Sequence, residues 1–191
     1  MKLGVTLYVW TRAQWRRWLA SHHDRASEIW LIYPKAHSGK PRIPYNHAVE
    51  EALCFGWIDS LLKTVDADRF AQRFTPRKSK SPWSPMNKER VRRLIRAGRM
   101  TASGMARVPA ELRSASRSLS RAPRLVLAPD IRAALRADPA TWAHFRRFPA
   151  SYKRIRIGWI EGARVRPQVF RQRLGYFLRM TAKNRRFGVV Q

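Results

Sequence analysis

Residues 45–60 read YNHAVEEALCFGWIDS. This stretch decides the fold, because within it the sequence pattern changes from that of a helix to that of a β-strand. Its first half carries apolar side chains at helical spacing, at Tyr45, Ala48, Val49, Ala52 and Leu53. This spacing is typical of a helix with one buried face. Gly56 is expected to end the helix, because glycine adopts the left-handed conformation of a helix C-terminus at little cost. The residues after it have the pattern of a β-strand.

Strands are predicted on both sides of this helix. Upstream, residues 28–33 read EIWLIY, a short apolar run closed by Pro34 that is typical of a buried strand. Downstream, residues 57–75 divide at Asp66-Ala67-Asp68, which predicts a hairpin of two strands. A first helix should follow Thr11, a predicted N-cap. The sequence therefore predicts an α+β module with a small antiparallel sheet.

The rest of the chain reads as helices. Ser84 followed by Pro85 is a strong helix start, because proline at the first helical position gives up no bonded N–H. Further helix starts are predicted at Thr101, Pro129, Asp138, Ser151 and Pro167. The predicted fold class is α+β, an N-terminal helix and strand module followed by a mainly helical C-terminal region.

Charge divides the chain unevenly. Residues 1–111 carry 21 basic and 9 acidic side chains, whereas residues 112–191 carry 19 basic and 3 acidic ones. Residues 113–124 alternate Ser, Ala and Arg without an acid, as a solvated linker does. We therefore predict an N-terminal module at 1–111, a basic linker at 112–128 and a helical region at 129–191.

The net charge favours an anionic partner. Forty basic against twelve acidic residues give a formal charge of +28. Such a charge repels itself unless counterions or an anionic partner gather on it. Arginine supplies 31 of the 40 cations, and an excess of arginine over lysine also arises from a GC-rich genome. Codon usage does not explain the shortage of Asp and Glu.

Composition also limits the class of protein. Cys54 is the only cysteine, which excludes an intrachain disulfide and a two-cysteine redox motif. No apolar run approaches the roughly 20 residues of a membrane-spanning helix, and the first residues lack the pattern of a signal peptide. We expect a protein of the bacterial cytoplasm.

Residues 45–60 resemble the YdeI/OmpD-associated family, often described as bacteriocin-protection proteins. Four further blocks follow in the order of that family: Arg73–Arg77 (RFTPR), Ser81–Ser84 (SPWS), Asn87–Val91 (NKERV) and Gly98–Gly104 (GRMTASG). The resemblance is strong over residues 15–104 and looser over 131–186, while residues 113–124 and 166–169 depart from the family pattern. It implies a link to envelope stress or cationic-peptide resistance. Direct sequestration of a cationic peptide is physically unfavourable, because a +28 chain repels it.

The run from Arg73 to Arg99, here called the Arg73–Arg99 surface, is the predicted binding region. Ten basic residues stand there against Glu89 alone. Guanidinium groups grip phosphates, and aromatic rings between them stack on bases. The candidate binding residues are Trp57, Asp59, Arg73, Phe74, Arg77, Ser81, Trp83, Asn87 and Arg90. The alternative is that Phe74 and Trp83 belong to the core and the helix has a solvated basic face.

No catalytic residue, metal site or cofactor is predicted. Glu50 and Glu51 point about 100° apart on a helix, so we expect one to be exposed and the other to pair with Arg73 or Arg77. Cys54 is expected to be a buried, inert thiol, and the histidines show no metal-ligand spacing.

Three functions remain open from the sequence. The first is a family protein that binds an anionic partner through the Arg73–Arg99 surface, and the second is a nucleic-acid-binding protein. The third is an enzyme acting on a small phosphorylated metabolite, which would place Asp59 or a glutamate beside Trp57 and Arg77 in a pocket.

Overall fold

The computed structural model describes residues 3–79, 81–117 and 125–188, which form two compact units. The first unit comprises the chain up to Pro82 together with Arg90 to residue 118. The second comprises Trp83–Glu89 and the chain after residue 118. The first unit holds a sheet with helices and the second is built of helices, so the α+β class is confirmed.

The first unit contains a four-stranded sheet in the order β1-β2-β4-β3. The strands are β1 (Thr6–Tyr8), β2 (Ile29–Pro34), β3 (Trp57–Thr64) and β4 (Arg69–Pro76). β2, β4 and β3 are antiparallel neighbours, as predicted, whereas β1 runs parallel to β2. The sheet is therefore mixed, and the extra strand was not predicted because three residues are too few to show a period of two.

A tight turn fixes the hairpin of β3 and β4. Oδ1 of Asp66 accepts hydrogen bonds from the backbone N–H groups of Asp68 (2.9 Å) and Arg69 (2.7 Å). An aspartate that binds the backbone after it in this way favours a turn. The register shifts between Asp59 and Leu62, which is a bulge in β3. The predicted hairpin is confirmed.

Helices α1 (Arg12–His22) and α2 (Tyr45–Cys54) belong to the first unit. The side chain of Thr11 accepts a hydrogen bond from the N–H of Gln14, and the Gln14 side chain accepts one from the N–H of Thr11, so the predicted N-cap is confirmed. The buried Trp15 donates its Nε1–H to the carbonyl oxygen of Ala48 at 3.0 Å. Gly56 follows the end of α2 with φ 77°, which only glycine adopts freely.

Helix α3 (Pro85–Arg96) starts where the sequence predicts. The hydroxyl of Ser84 accepts a hydrogen bond from the N–H of Asn87 at 3.2 Å. The helix continues from the second unit into the first at Arg90.

Two short helices follow, α4 (Ala102–Arg107) and α5 (Ala110–Arg117). Thr101 caps α4 by accepting a hydrogen bond from the N–H of Gly104 at 3.1 Å. α5 occupies the first part of the predicted linker, and residues 118–124 lie outside the described residues. The linker at 112–128 stays a prediction.

The second unit contains α6 (Pro129–Arg136), α7 (Pro139–Arg147), α8 (Ala150–Glu161) and α9 (Pro167–Ala182). Proline opens α6, α7 and α9, where its missing N–H costs no helical hydrogen bond. Ser151, a predicted cap, lies inside α8 instead. The apolar faces of these helices bury one cluster: Leu127, Ile131, Leu135, Phe145, Phe148, Tyr152, Ile157, Ile160 and Phe177.

In the described part of the chain, no helix combines the length and the apolar character that crossing a membrane requires.

Candidate functional site

Three of the predicted binding residues lie in the interior of the first unit. Trp57, Phe74 and Arg77 are at most 3% exposed. Nε1 of Trp57 donates to the carbonyl oxygen of His23 at 3.0 Å, and the ring of Phe74 packs 5.4 Å from that of Trp15. For Phe74, the structure supports the core alternative.

Asp59, Arg77 and Arg90 share one neighbourhood with Tyr45. The Tyr45 hydroxyl donates to Oδ2 of Asp59 at 2.6 Å, and Arg90 donates to Oδ1 of Asn46 at 2.6 Å. Burial lowers the pKa of both arginines, and the charge of Asp59 opposes that effect. Burial and the bond to Asp59 raise the pKa of Tyr45. The structure thus brings three predicted residues together, in a group where the Asp59 carboxylate offsets part of the charge of the two arginines.

The other predicted residues have separate contacts. Nε of Arg73 donates to Oε2 of Glu28 at 2.7 Å. The carbonyl oxygen of Ser81 accepts a hydrogen bond from Arg77 at 3.2 Å. Trp83 and Asn87 belong to the second unit and are half-buried.

Several cations of the Arg73–Arg99 surface bind carboxylates of the first unit. Arg93 pairs with Glu50, and Nη2 of Arg99 lies 2.6 Å from Oε1 of Glu51. A cation held by an internal carboxylate offers less charge to an external anion. Within the described ranges, the exposed side chains of Lys78 and Arg96 remain without such a partner.

Glu50 and Glu51 are both buried, so the expectation that one is exposed was wrong. Arg73 and Arg77 were also the wrong partners, because four other arginines converge on the pair: Arg12, Arg16, Arg93 and Arg99. Burial alone would raise the pKa of Glu51, but hydrogen bonds and charges from these arginines outweigh it and lower the pKa. The pair is the ionic centre of the first unit.

Cys54 is buried, as predicted. Burial, and then the charge of Glu51, raises the pKa of its thiol to about 11. The thiol is therefore protonated and unreactive at neutral pH.

A cavity of about 560 Å³ opens in the first unit, lined by His23, Asp24, Phe55, Gly56, Trp57, Pro76, Ser103, Ala106 and Arg107. Nδ1 of His23 lies 2.9 Å from the carbonyl oxygen of Leu19, and Nε2 lies 2.9 Å from Oγ of Ser103. A carbonyl oxygen only accepts, so Nδ1 carries a proton, and in the neutral imidazole Nε2 is then the acceptor of the Ser103 hydroxyl.

Asp24 and Arg107 place a carboxylate and a guanidinium in the lining of this cavity. All twelve acidic residues lie in the described part of the chain, and there Asp24 alone has no hydrogen-bond or ion-pair partner. Gly56 leaves room for Arg107, because a Cβ at Gly56 would stand 2.8 Å from Cγ of that arginine.

Sequence reasoning missed this cavity. His23 and Ser103 are 80 positions apart, so no local spacing links them. Ser103 lies inside the block GRMTASG, but that block indicated only a resemblance to a family. His23 was considered only as a possible metal ligand.

The second unit exposes cations where α7 and α9 meet. Nδ1 of His144 lies 3.1 Å from the carbonyl oxygen of Thr181, which joins the last turns of the two helices. The exposed cations near this contact in the sequence include Arg146, Arg147, Arg179, Lys183 and Arg185. We call these five residues and Lys153 the α7–α9 patch. In the part of the chain that the structure describes, none of the six has a carboxylate partner.

Lys153 contacts the end of α7. Its Nζ donates to the carbonyl oxygen of Arg146 at 3.0 Å and lies 5.4 Å from the ring centroid of Phe145. Burial lowers the pKa of Lys153, and the like charge of Arg146 lowers it further.

Arg156 is a buried cation of the second unit, only 6% exposed. Its Nε and Nη2 have no hydrogen-bond partner within the described ranges. The guanidinium carbon lies 4.5 Å from the ring centroid of Phe187 and 5.4 Å from that of Tyr152. Burial lowers the pKa of Arg156, and aromatic faces stand where a carboxylate would be expected.

Two family models match the chain. Residues 7–107, more than half of it, match the family described as Domain of unknown function (DUF8412). Residues 124–184 match the family described as Bacteriocin-protection, YdeI or OmpD-Associated. This second match covers the region in which the resemblance to the YdeI/OmpD-associated family is looser. The blocks that resemble that family more strongly, from residue 45 to residue 104, lie within the first match. No curated protein and no solved structure matches the chain.

Proposed function

The chain belongs to the family described as Domain of unknown function (DUF8412) and, over residues 124–184, to the YdeI/OmpD-associated family, and we propose that this member binds an anionic partner through the α7–α9 patch. Its partner is a nucleic acid, whose phosphate groups lie on the α7–α9 patch. Cytoplasmic nucleic acid is the source, in keeping with the location expected from the sequence.

The lack of carboxylate partners for the six cations of the α7–α9 patch, within the described part of the chain, carries this proposal. Lys153 and Arg146 are close enough for one charge to lower the pKa of the other, and carboxylates do not relieve the repulsion in the described part of the unit. A bound polyanion would relieve it and would release counterions from its own phosphates.

Helix electrostatics accounts for part of the patch. Arg146, Arg147 and Arg179 lie in the last turns of α7 and α9, where cations offset the negative end of a helix. Lys153 lies near the start of α8, but its ammonium donates to the carbonyl oxygen of Arg146 in the last turn of α7, so the negative end of α7 accounts for this cation as well.

Aromatic side chains favour a nucleic acid over a bare polyphosphate. Tyr176 is 40% exposed, and the guanidinium carbon of Arg179 lies 5.9 Å from its ring centroid. An exposed ring beside cations suits the stacking of a base, while the cations hold the backbone.

Two quadruple variants with equal charge loss test the proposal. One neutralises exposed patch residues, as Arg146→Gln, Arg147→Gln, Lys183→Gln and Arg185→Gln. The matched control neutralises exposed cations of the first unit, as Arg17→Gln, Lys40→Gln, Lys78→Gln and Arg96→Gln, two of which belong to the Arg73–Arg99 surface. Fluorescence anisotropy with a labelled single-stranded RNA, repeated over a range of salt, measures affinity and its salt dependence.

The patch variant should bind more weakly, and the slope of log K against log salt should fall by roughly three to four. The control variant should keep most of the wild-type slope. Equal losses of RNA affinity in both variants would show that binding depends on total charge and not on the position of the cations. Equal affinity of the wild-type protein for heparin and for RNA would show polycation behaviour in place of nucleic-acid binding.

Protection against bacteriocins enters this proposal only indirectly. A +28 chain repels a cationic peptide, so a protective role would arise through the anionic molecule that the chain binds.

A further inference from the structure

The cavity of the first unit is not part of the α7–α9 patch, and its chemistry is different. From its geometry we propose that it is an esterase site, in which Ser103 is the nucleophile and His23 the general base. The substrate class is a carboxylic ester with a short apolar acyl group. This proposal does not depend on nucleic-acid binding.

The hydrogen bonds give the serine and the histidine the correct roles. Nδ1–H of His23 is bound to the carbonyl oxygen of Leu19, so the lone pair of Nε2 faces Oγ of Ser103 at 2.9 Å. A serine becomes a nucleophile when a base within hydrogen-bond reach accepts its proton. Here a backbone carbonyl orients the base.

The histidine is held in place on several sides. Its backbone N–H donates to the carbonyl oxygen of Leu19 at 2.9 Å, and its own carbonyl oxygen accepts a hydrogen bond from Trp57 at 3.0 Å. Its ring centroid lies 5.2 Å from that of Phe55. A fixed ring keeps Nε2 aimed at the serine, and such positioning lowers the barrier to attack.

The cavity has the size and lining of a small-molecule site. Its volume of about 560 Å³ falls in the range of ligand pockets. Phe55, Trp57 and Pro76 supply apolar surface for an acyl chain.

The reaction balances with water as the only co-reactant. Oγ of Ser103 attacks the ester carbonyl carbon while its proton passes to Nε2 of His23. The bond from carbonyl carbon to alcohol oxygen breaks, and the alcohol leaves with the proton from Nε2. Water then attacks the acyl-serine, giving its proton to Nε2, and the acid departs as Ser103 recovers its proton.

A structural role is the alternative, because the hydrogen bond between Ser103 and His23 also ties α4 to the end of α1. Reactivity separates the two roles. A hydroxyl that only ties two helices together is not more reactive than other serine hydroxyls, whereas a nucleophile with its base reacts with a fluorophosphonate, whose phosphorus–fluorine bond breaks as a bond from Oγ to phosphorus forms.

The first test uses the wild-type protein, so it does not depend on a variant that folds. The purified chain is treated with a fluorophosphonate probe and digested, and the modified peptide is identified by mass spectrometry. We expect modification at Ser103. Absence of labelling, or labelling spread over several serines, would overturn the proposal.

The second test follows the hydrolysis of p-nitrophenyl butyrate. Ser103→Ala should reduce the rate to that of buffer, and His23→Gln should reduce it by about 100-fold or more. Ser21→Ala is the matched control, because the Ser21 hydroxyl binds the carbonyl oxygen of Arg17 within α1, and it should leave the rate unchanged. Thermal melts establish that each variant is folded. A folded Ser103→Ala with the wild-type rate would contradict the assignment.

Discussion

Gly104 of α4 lies directly against Cys54 at the end of α2. A Cβ at position 104 would stand 2.0 Å from the carbonyl oxygen of Cys54. That oxygen also accepts hydrogen bonds from the N–H of Thr101 at 3.0 Å and from its hydroxyl at 2.6 Å. The first turn of α4 is therefore fastened to the end of α2, and only a residue without a side chain fits at the contact.

We expect Gly104→Ala to destabilise the first unit by about 3 kcal/mol, because a methyl group would push α4 away from α2. Urea unfolding followed by tryptophan fluorescence measures the change. Gly175→Ala is the control, since Gly175 lies inside α9 and the atom nearest to its added Cβ is 3.6 Å away. That variant should be more stable than the wild type by up to about 1 kcal/mol.

Glu51→Gln should destabilise the protein by about 3 to 5 kcal/mol, because it leaves three arginines around a neutral side chain in the interior. The free energy of unfolding in urea is the measurement. Asp130→Asn removes an exposed carboxylate bound by Arg164 and should change little. Equal losses of unfolding free energy in the two variants would show that burial does not increase the contribution of the Glu51 ion pairs to stability.

The same carboxylate should make stability depend on pH. The folded-state pKa of Glu51 is lowered from an ordinary value of 4.5, so its contribution is complete above the unfolded pKa and is lost as the pH falls through the folded pKa. Wild-type unfolding free energy should therefore decrease as the pH falls below about 4.5. Glu51→Gln should flatten this decrease, and urea titrations at successive pH values compare the two. A Glu51→Gln curve parallel to that of the wild type would contradict the assignment.

Two arginines of α8 should respond oppositely to the same change. Arg156 has unbonded Nε and Nη2 atoms within the described ranges, so Arg156→Met should leave stability unchanged or raise it by about 1 kcal/mol. Arg154 binds both carboxylate oxygens of Glu89 at 2.7 and 2.8 Å, so Arg154→Met should cost about 3 kcal/mol. Thermal and urea unfolding measure both, and a larger loss for Arg156→Met would reverse the interpretation.

Local signals in the sequence predicted the elements that depend on local physics. Gly56 ends α2 because a left-handed residue is needed there, and Pro85 opens α3 because that position has no hydrogen bond to lose. The hairpin follows from Asp66, whose carboxylate binds the two N–H groups that make the turn. Each of these depends on only a few consecutive residues.

Partners distant in the sequence were not predictable in the same way. Many arginines could have paired with Glu51, and the sequence gives no reason to choose Arg16 or Arg99 over Arg73 or Arg77. The contact between His23 and Ser103 depends on α1 and α4 being brought together by α2. Since no periodicity records such a contact, the candidate site at the cavity could be found only in three dimensions.

Most acidic side chains of the described residues are bound by neighbouring residues, whereas many exposed arginines are not. This difference determines which residues can change over evolutionary time. Apart from Asp24, every acidic side chain is engaged by a neighbour in the described part of the chain, so replacing an acid puts a structural contact at risk. Exposed arginines outside the α7–α9 patch, such as Arg17 and Arg132, have no such contact among the described residues. Homologues should therefore vary in the positive charge outside the patch while their few carboxylates stay in place, which changes the overall attraction for anions with little loss of stability.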